Sequence, residues 1–495
     1  MSDTLQPDPR RWKALVFIAL AQLMVVLDAT VVNIALPSAQ IDLGFADSTR
    51  QWVITAYALA FGGLLLFGGR VADLWGRRRT FTVGLVGFAA ASAIGGAAAN
   101  TAMLLGARAL QGVFGALLAP AALSLLAVMF TDGKERAKAF GIYGAVAGGG
   151  GAIGLILGGV LTEYLNWRWT FYVNIPFAAI AIAGAVLVIR EPAGGLNRNR
   201  LDIPGVLLVT TGLVSLVYGF TRAESDGWTD ATTIGLFVAA AVLLAAFVFV
   251  ESRVKAPLLP LRVLTDRNRG GVYLSLGMAV IGMFGLFLFL TFYMQQVLGY
   301  SPVKNGLAFL PMVAGMITGS TQIGARLMTR VPARFLMAPG FVVASLGMLI
   351  LTQIDVGTSY WQILPGLVLM GLGMGTAFMP AMSLATYGVQ PRDAGVASAM
   401  VNTSQQVGGA IGTALLSTVA NSAATAYAKS HAAAATHPDL FKLQVQVHSY
   451  STAIWWAFGI LLLAGATAFT LINAGKPAPH AANADAEDAV PVMAH

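Results

Sequence analysis

Asp28 stands in an otherwise apolar run, Val25-Val26-Leu27-Asp28-Ala29-Thr30-Val31-Val32-Asn33, and Arg108 stands in another, Leu105-Gly106-Ala107-Arg108-Ala109-Leu110-Gln111-Gly112. An ionisable side chain held in hydrocarbon is costly unless it faces water, finds a partner or takes a proton. Asp28 falls about 13 Å, and Arg108 about 9 Å, from the outer end of its helix. An acid and a base at similar depth, in helices that can face each other, are able to pair. Opposite charge favours the ionised acid and desolvation favours the neutral one. Helices that separate and rejoin would therefore load and unload a proton at Asp28. Gln111, three residues after Arg108, lies on the same helical face.

Three further patterns stand out. Gly68-Gly69-Arg70-Val71-Ala72-Asp73-Leu74-Trp75-Gly76-Arg77-Arg78-Arg79 places one acid among four arginines in a short turn. Asp73 could accept hydrogen bonds from arginines or from a helix N-terminus, so Gly69, Asp73, Gly76, Arg77 and Arg78 form a candidate conformational latch. Gly150, Gly154 and Gly158 recur at intervals of four and, with Gly159, leave a smooth groove for a neighbouring helix. Asn402, Gln405 and Gln406 make a neutral polar stripe. With Asn33, Trp52, Tyr57, Gln111, Phe284, Phe287 and Phe292, they are candidate walls of a cavity for a large lipophilic ligand.

The elements that must carry these residues are membrane spans. The chain has 495 residues, 57% hydrophobic and 11% charged, and its apolar residues come in long blocks separated by short charged punctuation. The blocks predict fourteen transmembrane helices. Charge fixes their orientation: with both termini in the cytoplasm, 23 of the 30 Lys and Arg residues lie on that side and only six outside, as the positive-inside rule requires. The expected organisation is a cytoplasmic tail over 1–13, a six-helix bundle over 14–190, two additional helices over 203–251, a second six-helix bundle over 270–474, and a disordered cytoplasmic tail over 475–495. The segment 423–451 is expected to be an outer loop with a short helix lying on the membrane surface.

Several classes of function are excluded or unsupported. Cysteine is absent, which removes disulfides and thiolate sites. The histidines cluster from His431 onward without tight ligand spacing, so no metal site is expected. No phosphate loop, zinc-protease or serine-hydrolase motif occurs, so no enzyme activity is expected. The net charge of +8 belongs to cytoplasmic loops and does not point to nucleic acid.

In their order along the chain, these blocks resemble the fourteen-spanner drug:proton antiporters of the major facilitator superfamily, the QacA/EmrB-like group. Leu27 to Pro37 is similar to that group's first-helix motif. Gly69 to Arg79 is similar to the superfamily's loop 2–3 motif, and Arg108-Ala109-Leu110-Gln111-Gly112 to the motif whose arginine is implicated in proton coupling. Asn166-Trp167-Arg168-Trp169-Thr170-Phe171-Tyr172-Val173-Asn174-Ile175-Pro176 is similar to the signature before span six. The resemblance implies an all-α membrane protein of the major facilitator fold, with two six-helix bundles, two inserted helices and alternating access. It also implies proton-coupled efflux of lipophilic drugs across the cytoplasmic membrane, with Asp28 and Arg108 in proton coupling. The expected partners are protons, a small lipophilic substrate and the bilayer, in a monomer driven by the proton gradient without a cofactor. Export of a lipid or metabolite is the alternative, with nutrient uptake a further one. In the span-five motif Leu155 replaces the family's usual proline, which removes the expected cause of a kink. The second half has no acid deep in a span, which favours a monocationic, zwitterionic or neutral substrate.

Overall fold

A computed structural model describes residues 9–45, 47–189, 202–254, 257–328, 330–431 and 437–474. Within them the chain forms helices and turns, with no strand. In the first half these are α1 (Arg11–Leu43), α2 (Asp47–Trp75), α3 (Arg77–Gly96), α4 (Thr101–Met129) and α5 (Gly133–Tyr164), followed by α6 (Trp169–Leu187). A hairpin of α7 (Ile203–Ser225) and α8 (Ala231–Glu251) comes next. The second half contains α9 (Arg267–Val297), α10 (Val303–Leu327), α11 (Arg334–Leu351), α12 (Tyr360–Thr386), α13 (Ala394–His431) and α14 (Pro438–Leu471). Twelve of these are long and apolar enough to cross a membrane, and α5 makes thirteen if its bent parts form one span. The fourteenth expected span corresponds to α3, a twenty-residue helix whose three arginines and four glycines lower its hydropathy.

Helix contacts define the two ends of the molecule. Arg11 of α1 bonds Glu135 at the start of α5, and Asn268 at the start of α9 accepts the Asn473 amide just past α14. Both described chain ends therefore lie at one end, called here the terminal end. At the opposite end Arg168 pairs with Asp42, and the Tyr293 hydroxyl donates to the Asp355 carbonyl at 2.6 Å.

The halves meet along two seams. On one, α2 packs against α13, with Gly69 beside Gly395 and Gly62 beside Gln406. On the other, α5 runs along α10 and α12. The α7–α8 hairpin leans over the first seam and touches both sides of it. Trp52 of α2 packs on Tyr218 of α7 at 5.6 Å, while Glu224 of α7 accepts from Ser417 of α13 at 3.3 Å. The Trp228 indole donates to Thr418 at 2.8 Å.

Two expectations are corrected. The α5 helix bends by 45° between Gly133–Gly151 and Ile156–Tyr164 although no proline is present; its glycine run is the available weakness. Nor is 423–451 a loop with a surface helix. The α13 helix continues to His431 and α14 begins at Pro438. At 38 residues, α13 is about 57 Å long, well beyond a hydrocarbon core of about 30 Å. The alanine-rich stretch is a strong helix former. Tyr427 joins the two extensions by packing on His448 of α14 at 4.5 Å, with His431 of its own helix stacked on it at 4.1 Å.

Candidate functional site

Asp28 and Arg108 meet deep in the first half. Arg108 Nη1 donates to Asp28 Oδ2 at 2.7 Å, with both side chains enclosed. The other carboxylate oxygen, Oδ1, accepts from Gln111 Nε2 at 2.8 Å and from Asn174 Nδ2 at 2.7 Å. Arg108 Nη1 also donates to Gln111 Oε1 at 2.8 Å, and its Nε donates to the Val53 carbonyl at 3.2 Å. Ser92 Oγ accepts from Gln111 and Asn174. The guanidinium lies 4.4 Å from the centre of the Tyr57 ring. Side chains from α1, α3, α4 and α6, with a ring and a carbonyl from α2, thus enclose one ion pair. Such a pair is costly to break, because removing one partner strands a buried charge at roughly 3–5 kcal/mol. Protonation of Asp28 would remove the charge that Arg108 answers and leave the donors around it with a weaker acceptor.

The helix backbones explain how these residues converge. Gly154 is where α1 crosses α5: a Cβ there would lie 1.8 Å from Thr30 Oγ1. Gly150 and Gly158 face Val26 and Val31 of α1 in the same way, whereas Gly159 faces Val303 of α10. The first three glycines thus seat α1, and the fourth lies on the seam between the halves.

At the terminal end Asp73 bridges those halves. Its Oδ1 accepts from the Gly395 amide at 2.9 Å and its Oδ2 from the Val396 amide at 3.2 Å, so the carboxylate sits on the N-terminus of α13, where the helix dipole favours an anion. Arg77 Nη2 donates to Asp73 Oδ1 at 3.1 Å and its Nε to Ser124 Oγ at 2.8 Å, which fixes the acid in place. A Cβ on Gly69 would lie 2.5 Å from the Gly395 carbonyl oxygen, and one on Gly395 would lie 2.2 Å from that of Gly69. Two glycines are therefore required for this contact. Gly76, at φ 108°, makes the break between α2 and α3 in a conformation that side chains resist. Arg78 is a different matter from the latch expected of it: its Nε and Nη2 donate to the Ala185 and Val186 carbonyls, tying α3 to α6 within the first half.

A second bridge was not anticipated. Arg136 of α5 is buried and donates across the other seam to Ser383 Oγ at 3.2 Å, to the Ser383 carbonyl at 3.1 Å and to Thr386 Oγ1 of α12. It also binds the Ala127 and Phe130 carbonyls of its own half. The positive-inside rule accounts for a basic residue here and hides its reach of 247 positions along the chain. Ser92 and Asn174 were likewise missed. Asn174 lies in the signature before span six, but no sequence pattern says which way a neutral amide faces.

The expected cavity walls are dispersed. Tyr57 and Gln111 belong to the ion-pair network. Trp52 packs on α7, at the hairpin. Phe284 lies over Gly409 of α13, Phe287 packs on Phe309 at 5.1 Å, and Phe292 packs on Tyr450 of α14 at 6.4 Å. The three rings therefore face three different helices, α13, α10 and α14, and do not form one wall. Asn402 donates to the Ser398 carbonyl. Gln405 and Gln406 are half-buried and make no side-chain hydrogen bond to a described residue. The side chain of Asn33 lies outside the described residues.

The family model described as Major Facilitator Superfamily matches residues 18–413. The chain belongs to the major facilitator superfamily. Among curated members, it is 53% identical over 470 residues to the puromycin resistance protein pur8 of Streptomyces alboniger, covering 94% of this chain and 92% of that one. It is 41% identical to the cephamycin export protein CmcT of Amycolatopsis lactamdurans, over 83% and 85% of the two chains. The lincomycin resistance protein of Streptomyces lincolnensis is 36% identical over 82% of this chain and 83% of that one. The human organic anion transporter MFSD10 (TETRAN) has the same fold, with a TM-score of 0.62 at 16% identity over 92% of this chain and 100% of that one. The chain is a multi-pass membrane protein of a transporter family, and its relatives are antibiotic exporters of the superfamily's drug-efflux type. Within that fold the Asp28 network lies inside the first half, and the Asp73 and Arg136 bridges join the two halves at the terminal end.

Proposed function

We propose that this major facilitator protein exports a lipophilic antibiotic from the cytoplasm in exchange for protons. The observation that carries the reading is the enclosed Asp28–Arg108 pair, an acid whose charge state and helix packing depend on each other. The names of the relatives supply the substrate class, and puromycin is the first compound to try. The excess of basic residues at the terminal end makes that end cytoplasmic, so the structure is latched shut toward the cytoplasm. In the cycle Asp28 takes a proton from outside and weakens its bond to Arg108. The halves then rock, Asp73 and Arg136 release, and the site opens inward. The proton leaves, substrate binds, and the latches re-form as the loaded protein reopens outward. A proton moving inward across about 100 mV yields ~2.3 kcal/mol, enough for a roughly fortyfold gradient of a neutral solute; its exchange for a singly charged cation is electroneutral and draws on the pH difference alone. The protein works as a monomer in the cytoplasmic membrane with no cofactor, because one chain holds both bundles and the gradient supplies the energy.

The test is accumulation of labelled puromycin in pump-deficient bacteria. Expression of the wild type lowers accumulation, and an uncoupler restores it; Asp28→Asn, present in the membrane at equal level, does not lower it. Accumulation unaffected by the wild type for puromycin, lincomycin and a cephamycin alike would remove drug export as the function.

A further inference from the structure

The inserted hairpin begins and ends on an acid. Asp202 precedes α7 and caps it, its Oδ1 accepting the Gly205 amide at 3.0 Å. Glu251 closes α8; its Oε1 accepts the Leu258 amide at 3.3 Å and its Oε2 the Leu259 amide at 3.1 Å. The two residues are 7% and 4% exposed. Gly205 marks where they converge: a Cβ there would lie 2.5 Å from Glu251 Oε1 and 2.6 Å from Asp202 Oδ2. The two carboxyl groups thus close on the same point, and Asp202 Oδ2 is buried there with no N–H or O–H of a described residue to serve it.

No cation answers this pair among the described residues. On the neighbouring elements Arg253 lies over the Phe249 ring at 5.0 Å, Arg262 is paired with Asp393, and Arg269 with Asp266. Two ionised carboxylates that converge in a buried place, with no cation of the described residues beside them, repel each other, and a proton on one of them supplies the donor that Asp202 Oδ2 lacks.

We propose that Asp202 and Glu251 hold one proton between them, and that this proton clasps together the two ends of the inserted hairpin. The hairpin is the covalent path between the halves. One of its ends continues from the first bundle, and the other leads through Leu258 and Leu259, whose amides Glu251 holds, into α9. The clasp therefore sets how closely the two connecting segments are held where they enter the hairpin. It closes when the pair carries its proton and opens when the proton is lost. Its contribution to stability is present at lower pH and falls as pH rises through the titration of the pair.

Two measurements on the purified full-length protein decide the matter. Infrared spectra at about pH 7 show the carbonyl band of a neutral carboxylic acid in the wild type and in Asp28→Asn, and lose it in Glu251→Gln and Asp202→Asn. The melting temperature of the wild type falls between about pH 6 and about pH 9. That slope flattens in both variants, where an amide N–H makes the bond without titrating. Either variant suffices if the other does not fold. A band that survives both substitutions, or identical pH slopes in the wild type and a folded variant, overturns the shared proton.

Discussion

The substitution Asp73→Asn tests the bridge between halves at the atoms that make it. The carboxylate accepts from Arg77 and from two amides at the N-terminus of α13, all buried. An asparagine keeps one acceptor oxygen, loses the charge, and turns an N–H toward an amide donor or Arg77. A hydrogen bond to a charged group contributes about 1.5–3 kcal/mol. Losing the equivalent of one such bond moves the latched–unlatched balance by roughly 2 kcal/mol, about 30-fold. The chain has no cysteine, so pairs can be introduced cleanly. Spin labels at Lys134→Cys and Arg392→Cys, both exposed at the terminal end, report opening there by pulsed dipolar spectroscopy. A second pair at Tyr164→Cys and Trp361→Cys, 73% and 75% exposed, reports the opposite end. In Asp73→Asn the distance distribution of the first pair gains a long component. Gly395→Ala, whose Cβ would lie 2.2 Å from the Gly69 carbonyl oxygen, shifts it the same way for a steric reason. Unchanged distributions in both variants would refute the idea that this contact holds the end shut.

Other predictions follow from neighbouring geometry. Arg136→Ala removes the bridge to Ser383 and Thr386 and opens the α5–α12 seam by a comparable amount, about 2 kcal/mol, read by the same first spin pair; Arg136→Lys does not restore it, because an ammonium lacks the planar fork. Gly154→Leu forces α1 off α5 and costs about 1–3 kcal/mol, measured as a lower melting temperature, and Gly154→Ala combined with Thr30→Ala loses less. At the opposite end, hydrogen bonds from Arg168 and then Trp167 hold the Asp42 carboxyl below its ordinary value of 3.8. The depressed value means the pair's contribution is present above the ordinary carboxylate range and lost only as pH falls through the folded value. The difference in melting temperature between the wild type and Asp42→Asn therefore stays constant down to about pH 6 and shrinks only in strong acid; an earlier decline contradicts the pairing.

The charges in apolar runs were legible because hydrocarbon makes them expensive. Asp28, Arg108 and Gln111 could be gathered into one site from depth and helical phase alone. Asn174 and Ser92 could not, since a neutral polar residue in a span carries no sign of which neighbour it faces. Asp73 stood out as a candidate latch, but its partners did not: they are backbone amides 322 and 323 positions away, and an amide has no residue signature. Arg136 looked like a topology anchor because one charge can serve both purposes. The outer extensions of α13 and α14 escaped hydropathy, which measures how apolar a segment is, whereas alanine makes helix in water as readily as in lipid. Asp202 and Glu251 were passed over as acids near loops; only the folded hairpin brings its two ends together.

The central claim is that Asp28 couples substrate to proton movement. The direct measurement is the change in internal pH of proteoliposomes when puromycin is added on the side from which it is exported, for the wild type and for Asp28→Asn of equal folded content. Proton movement opposite to the substrate in the wild type and none in the variant is the result predicted. Equal proton movement in both would show that the coupling residue lies elsewhere.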